Sequence, residues 1–385
     1  MFVTRLKLKN WRNFREVDLR FSEYTYILGA NASGKSNLLD VFKFLRDVSN
    51  PQGGGLQKAL DDRRGFNKIR CLHHRRQTDV RIEIHLSSDF DKPCPDWVYS
   101  LALKQESRGI NPRPIYIAEE CVTHCGKEVL KRPNSDDQRD NVRLTASFLE
   151  NPQANESFRE IAKFFSEATY LHLVPQFLKY GDRIGGRLLD DDPYGQGFLK
   201  SLAMTGERVR NPRIKKIEKA LKAAVPQFET LEYKPDEMGH PHLRARYAHH
   251  RPQGAWQQED QFSDGTLRLL GILWSLLDGS GLLLLEEPEL SLNNGIIQHI
   301  PVMMQRIQKE SKRRRQVIIT THSETLLSNK GIDANGIILL EPNQDGTRAR
   351  LLNERELGAV RAGLSVAEVA MPQTKPNLSD QLAFW

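Results

Sequence analysis

The chain opens on two stretches of strict alternation. Leu6 and Leu8 alternate with Arg5, Lys7 and Lys9, and Val17, Leu19 and Phe21 alternate with Asp18 and Arg20. Period-two patterning predicts two strands, each with one buried face. The run YTYIL at 24–28 predicts a third, more buried strand, and after a glycine-containing turn Leu38, Val41, Phe42 and Leu45 recur at helical spacing. The opening therefore reads strand, loop, helix. Residues 51–65 are rich in glycine and charge and predict a mobile loop. DVRIEIHL, WVYSLALK and IYIAEECV predict further strands of an antiparallel lobe over 66–150, with a helical stretch around 156–165 beyond it.

Farther on, Ile214, Ile217 and Leu221 predict an amphipathic helix with Pro212 near its start, and Leu267, Leu270, Leu273, Trp274 and Leu277 predict another. The strands LLLL and QVIIT bracket a helix, and GIILLE follows. That rhythm predicts a largely parallel sheet. The expected class is α/β, a mixed or parallel sheet flanked by helices with an antiparallel β lobe. One composite domain over 1–385 divides into a hairpin and phosphate loop (1–50), an inserted β-rich lobe (66–150), a helical lobe (155–260), a segment with the remaining chemistry (261–345) and a C-terminal tail (346–385).

Composition narrows the setting. The 385 residues are 39% hydrophobic, enough for a sizeable core. No apolar run approaches the roughly 20 residues of a membrane-spanning helix. MFVTRLKLKNWRNF lacks the apolar centre of a signal peptide, so the expectation is a cytoplasmic protein with no membrane partner. Cys71, Cys94, Cys121 and Cys125 make no dense disulfide framework, and CVTHC with CLHH matches no common zinc spacing. A net charge of +7 permits nucleic-acid contact without demonstrating it. KRRR at 312–315 reads as a solvated helix end or a phosphate-contacting patch, and the acidic run at 190–192 as a solvated loop.

The candidate chemistry begins with GANASGKS, which satisfies G-x-x-x-x-G-K-[ST] between a strand and a helix. Its members are Gly29, Ala30, Asn31, Ala32, Ser33, Gly34, Lys35 and Ser36. Such a loop wraps phosphates in backbone N–H groups at a helix N-terminus; Lys35 reaches the β- and γ-phosphates and Ser36 coordinates Mg²⁺. The stretch LLLLEEPE ends a buried strand in Glu286 and Glu287, alone readable as a solvated turn, a metal site or half an active site. Beside a phosphate loop, strand alternation would send Glu286 toward Mg²⁺ and Glu287 toward the attacking water. TTHSE places His322 after another apolar strand, and FSDGTLRLLG puts Ser263, Asp264 and Gly265 at a helix start, either an ordinary N-cap or an anion site.

In this order, the four elements resemble the ABC ATPases, specifically the soluble RecF/SMC-like branch, and look like compact AAA-family ATPases of bacterial mobile and defence loci. GANASGKSN resembles the Walker A, extending to Asn37, with Ala32 where glycine is common. FSDGTLRLL is similar to the ABC signature, LLLLEEPE to Walker B, LSLN to the D-loop and TTHS to the H-loop. YLHLVPQF resembles the Q-loop segment, making Gln176 a further Mg²⁺ ligand. The resemblance implies ATP and Mg²⁺ as cofactors and a homodimer or higher oligomer in which each ATP meets one Walker A and the other subunit's Ser263–Gly265. It also places the hairpin tip Trp11–Phe14, with Arg12 and Asn13, on the adenine side. A separate nuclease or other effector, and DNA, are the implied partners, in phage defence or DNA repair. The alternative is a nucleotide-gated, non-catalytic scaffold; a transporter subunit is disfavoured by the strand-rich hairpin. Glu286 stands where most of the family carries aspartate. Residues after Ile337 offer no acidic cluster like that of Toprim nucleases, and PNLSDQLAFW is either a partner-binding tail or one docked on its own domain.

Overall fold

The computed structural model describes residues 1–50, 53–71, 79–106, 114–181, 192–248, 255–310 and 314–374. The strands, in chain order, are β1 (Phe2–Trp11), β2 (Phe14–Arg20), β3 (Tyr24–Gly29), β4 (Val80–Ser87), β5 (Trp97–Gln105), β6 (Ile115–His124) and β7 (Lys127–Arg132). They continue as β8 (Thr169–Leu171), β9 (Phe228–Tyr233), β10 (Leu243–Tyr247), β11 (Ala255–Gln258), β12 (Leu282–Glu286), β13 (Gln316–Thr321), β14 (Ile337–Asn343) and β15 (Gly346–Leu351). The chain divides into two units: Met1–Ala168 with Gln316–His322 and Asp333–Trp385, and Thr169–Arg315 with Ser323–Ile332.

In the first unit, alternation yields an antiparallel sheet ordered β2-β1-β4-β5-β6-β7. Leu6 faces Leu19 on one side and Ile84 on the other, so apolar positions line one buried face. The opening hairpin and the strands of the expected β lobe thus share a sheet. β3 lies between β13 and β14, parallel to both, and β15 runs antiparallel to β14. Tyr26, Ile27 and Leu28 are buried, as a strand covered on both faces requires. The helix Lys35–Ser49 follows the loop after β3 and buries Leu38, Leu39, Val41, Phe42, Phe44, Leu45 and Val48.

Beneath the first sheet, Arg132 is fully buried. It donates to Glu120 (2.8 Å), to both Asp137 oxygens (3.0 and 2.9 Å) and to the carbonyls of Arg143 and Ala146. Glu120 also accepts from Tyr99 and Ser147, so the buried charges are paired and bonded, the condition under which burial is tolerable.

The second unit pairs β12 with β8 in parallel, Leu285 opposite Leu171, and forms the antiparallel sheet β11-β10-β9. The helix Asp264–Leu277 is buried from Thr266 to its end, which explains its near-absence of polar residues.

Three expectations need correction. Within 51–65, Leu56–Asp61 is a helix, not a mobile loop; Leu56, Ala59 and Leu60 are buried at i, i+3 and i+4 spacing, a stripe too short to stand out among glycines and charges. Pro212 lies inside the helix Glu207–Ala224 rather than near its start, because the first turns carry no apolar stripe. Arg315 is neither a solvated helix end nor a phosphate contact. It is buried and donates to the carbonyls of Ser275 (2.6 Å) and Asp278 (2.5 Å), satisfying the C-terminus of the helix Asp264–Leu277. Lys312 and Arg313 of that basic run, Asp190 and Asp191 of the acidic run, His73 and His74, and the tail at 376–385 lie outside the described residues; Asp192 accepts from the backbone of Gln196 and Gly197. All four cysteines are free. Among the described residues no helix is long and apolar enough to cross a membrane.

Candidate nucleotide-binding site

The phosphate loop belongs to the first unit. Ala32 (φ 62°) and Gly34 (φ 101°) both adopt left-handed backbone, which turns successive N–H groups of the loop. A side chain at Gly34 would strike the Asn13 amide, its nearest atom 2.1 Å from an added Cβ. Ala32 takes a conformation that glycine adopts freely, so the loop keeps this shape at some strain. Lys35 is buried, its Nζ donating to the carbonyls of Gly29 (3.0 Å) and Ala30 (3.4 Å), so the ammonium sits inside the loop. The Ser33 hydroxyl is buried without a hydrogen-bond partner among the described residues. Asn31 and Ser36 are exposed, Ser36 in the first turn of the helix. An anion-wrapping backbone, an enclosed ammonium and an orphaned hydroxyl fit a phosphate group.

The hairpin tip braces this loop. Asn13 Nδ2 donates to the Ser33 carbonyl (3.0 Å) and to Thr347 Oγ1 (2.7 Å), and Asn13 Oδ1 accepts from Asn37 (2.9 Å). Trp11 Nε1 donates to the Asn37 carbonyl at 2.9 Å. Arg12 pairs with Asp40, which also meets Arg63. Burial pushes the Asp40 carboxyl up, but Arg63 and then Arg12 outweigh it and hold it below its ordinary range. Trp11 and Phe14 are fully buried, so neither ring is open for adenine to stack on.

His322 follows β13, whose Thr321 lies opposite Leu28 of β3. Its exposed side chain therefore leaves the sheet at the end from which the phosphate loop departs.

The second unit holds the carboxylates. Glu286 ends β12 half-buried and accepts a hydrogen bond from the Tyr170 hydroxyl of β8. Glu287 lies beyond the strand with φ 44°, so strand alternation does not set its direction as expected; a turn does. Its carbonyl accepts from Arg268 at 3.2 Å. Ser263 is the N-cap of the helix Asp264–Leu277, its hydroxyl accepting from Thr266 N, the ordinary-cap reading of that serine. Gly265 lies against the loop at 290–293, an added Cβ meeting the Ser291 carbonyl at 3.1 Å. Gln176, exposed, donates to Asp264 at 3.4 Å, and Lys179 pairs with the same carboxylate at 2.9 Å. Thus Gln176 and the signature segment meet within this unit, as Lys35, Asn13 and the sheet end before His322 meet within the other.

Thr347, Tyr170, Lys179 and Arg268 escaped the sequence reading. Each is an ordinary residue in a regular element, and only Arg268, charged within an otherwise apolar helix, left a visible signal.

Residues 25–328 match the family described as "AAA domain, putative AbiEii toxin, Type IV TA system". DNA replication and repair protein RecF of Bacillus cytotoxicus is 27% identical over 88 residues, 23% of this chain and 24% of that protein. RecF of Bacillus mycoides matches to the same extent, so the alignment spans about a quarter of these curated relatives. Among solved structures, an Smc head bound to the C-terminal winged-helix domain of ScpA superposes with a TM-score of 0.59 at 12% identity, covering 93% of this chain and all of that one. An Smc head with an extended coiled coil, bound to the C-terminal domain of ScpA derived from Pyrococcus furiosus, gives 0.50 at 12% identity, covering 94% and 98%. These two show the fold. The chain belongs to this AAA-domain family.

Proposed function

We propose that the protein is a Mg²⁺-dependent ATPase that dimerises around ATP. The enclosed Lys35 ammonium, in a left-handed loop at the start of a 15-residue helix, carries this reading. Lys35 and the amides of 29–37 hold the phosphates; Ser36, Glu286 and Gln176 are the Mg²⁺ ligands. Bound Mg²⁺ would neutralise phosphate charge. Glu287 takes the proton of the attacking water, and His322 orients that water or the γ-phosphate. Ser263, Asp264 and Gly265 contribute to the nucleotide held by a second copy, with Arg12 and Asn13 supporting the loop from the hairpin side.

Hydrolysis would drive a separate effector, such as a nuclease, or DNA. RecF's name as a DNA replication and repair protein, the toxin–antitoxin description of the family and the ScpA-bound heads support a partner of this kind in defence or repair. The test is sedimentation with ATP and Mg²⁺: Glu287→Gln should accumulate as a dimer, whereas Lys35→Ala should stay monomeric. A Glu287→Gln protein that stays monomeric at saturating ATP removes the dimer claim. The Tyr170 bond to Glu286 favours a second reading, a nucleotide-gated scaffold, because it engages the carboxylate meant for Mg²⁺. Tight ATP binding without turnover would establish it.

A further inference from the structure

Arg268 is 4% exposed, one turn into a helix whose other buried residues are nearly all apolar. Its Nη1 donates to the Glu287 carbonyl, whereas its Nε is buried with no partner among the described residues. Burial lowers its pKa, opposed by the facing carboxylates of Glu289, Asp264 and Glu287. A guanidinium does not deprotonate in proteins, so a cation is held here underbonded. An arginine serving only to fill space would be replaced without loss by an apolar side chain.

What it holds is unusual. Glu287 precedes Pro288, and a residue before proline is steered to extended backbone. Its φ of 44° is instead left-handed, a conformation that persists only when its surroundings fix it. The Arg268 bond falls on the carbonyl of that residue, which also accepts from the Leu290 N–H at 3.3 Å, so the side chain adds a second bond to the turn. The same side chain lines a small recess with Leu171, Leu285, Glu286 and Pro288, and Arg268 lies four residues after Asp264 on the helix capped by Ser263.

We infer that Arg268 is a positioning residue that locks the Glu287 peptide in its left-handed turn and so aims the Glu287 carboxylate, tying it to the helix that presents Ser263–Gly265. This rests on the proposed role of Glu287 as base. Arg268 is buried and acts through its bond to the Glu287 carbonyl.

A double-mutant cycle tests it, with kcat, KM, ATP affinity and thermal midpoint measured for Arg268→Met, Glu287→Gln and the pair. Misaiming a catalytic group lowers rates by about 100-fold. Arg268→Met should therefore lower kcat roughly 10- to 100-fold with ATP affinity within about twofold of the parent. Arg268→Lys, which keeps the charge and a donor, should recover part of the loss and covers the case in which the methionine variant does not fold. In the Glu287→Gln background Arg268→Met should lower kcat no further. An unchanged kcat in both Arg268 variants, or the same drop with and without Glu287, overturns the positioning role. Parental turnover by Glu287→Gln alone instead overturns the role of Glu287, which separates the two failures.

Discussion

Replacing Asn13 by alanine probes how far the hairpin tip controls the phosphate loop. The substitution removes three hydrogen bonds, to the Ser33 carbonyl, Thr347 Oγ1 and Asn37 Nδ2. Each contributes about 0.5–1.5 kcal/mol net, which brackets the sum between about 1.5 and 4.5 kcal/mol. The Thr347 hydroxyl also donates to the Ser33 carbonyl, at 2.9 Å, so that carbonyl stays satisfied. The expected loss therefore lies in the lower part of the range, about 2 kcal/mol. Because the lost bonds fix the loop at Ser33 and the helix at Asn37, part of it should appear as weaker nucleotide binding, about five- to tenfold. Urea unfolding and titration with a fluorescent ATP analogue measure the two effects. Unchanged unfolding midpoint and unchanged affinity would refute the bracing argument. Lower stability with parental affinity would show that the tip supports the fold and not the loop.

Two further predictions concern the first unit. Glu120→Ala leaves Arg132 charged and short of a buried partner, so stability should fall by about 3–5 kcal/mol in denaturant unfolding, while a solvated pair would lose under 1 kcal/mol. Hydrogen bonds from Arg350, opposed by burial, hold Glu356 down at about 2 from its ordinary 4.5. Its stabilising effect is thus complete above pH 4.5 and lost as pH falls through about 2; Glu356→Gln should flatten stability in that window, and an identical acid profile in both proteins would contradict it.

The phosphate loop was legible because its spacing is local: the turn, lysine and helix start lie within eight residues. The strands were legible from alternation, as Leu6 and Leu8 facing Leu19 and Val17 illustrate. Charged residues carried no such signal. Arg132, Glu120 and Asp137 come from two strands and a short helix, and each reads alone as surface. Arg315 was hidden in a basic run, although its neighbours in space are helix-end carbonyls. Alternation also failed at Glu287, because the period-two rule ends where the strand ends, one residue earlier.

ATP hydrolysis at this site is read directly from Mg²⁺-dependent phosphate release by the parent, Lys35→Ala and Glu287→Gln proteins at equal concentration. The parent should release phosphate, Lys35→Ala none above background, and Glu287→Gln at least about 100-fold more slowly with ATP still bound. Release by the parent no faster than by Lys35→Ala would contradict hydrolysis at this site.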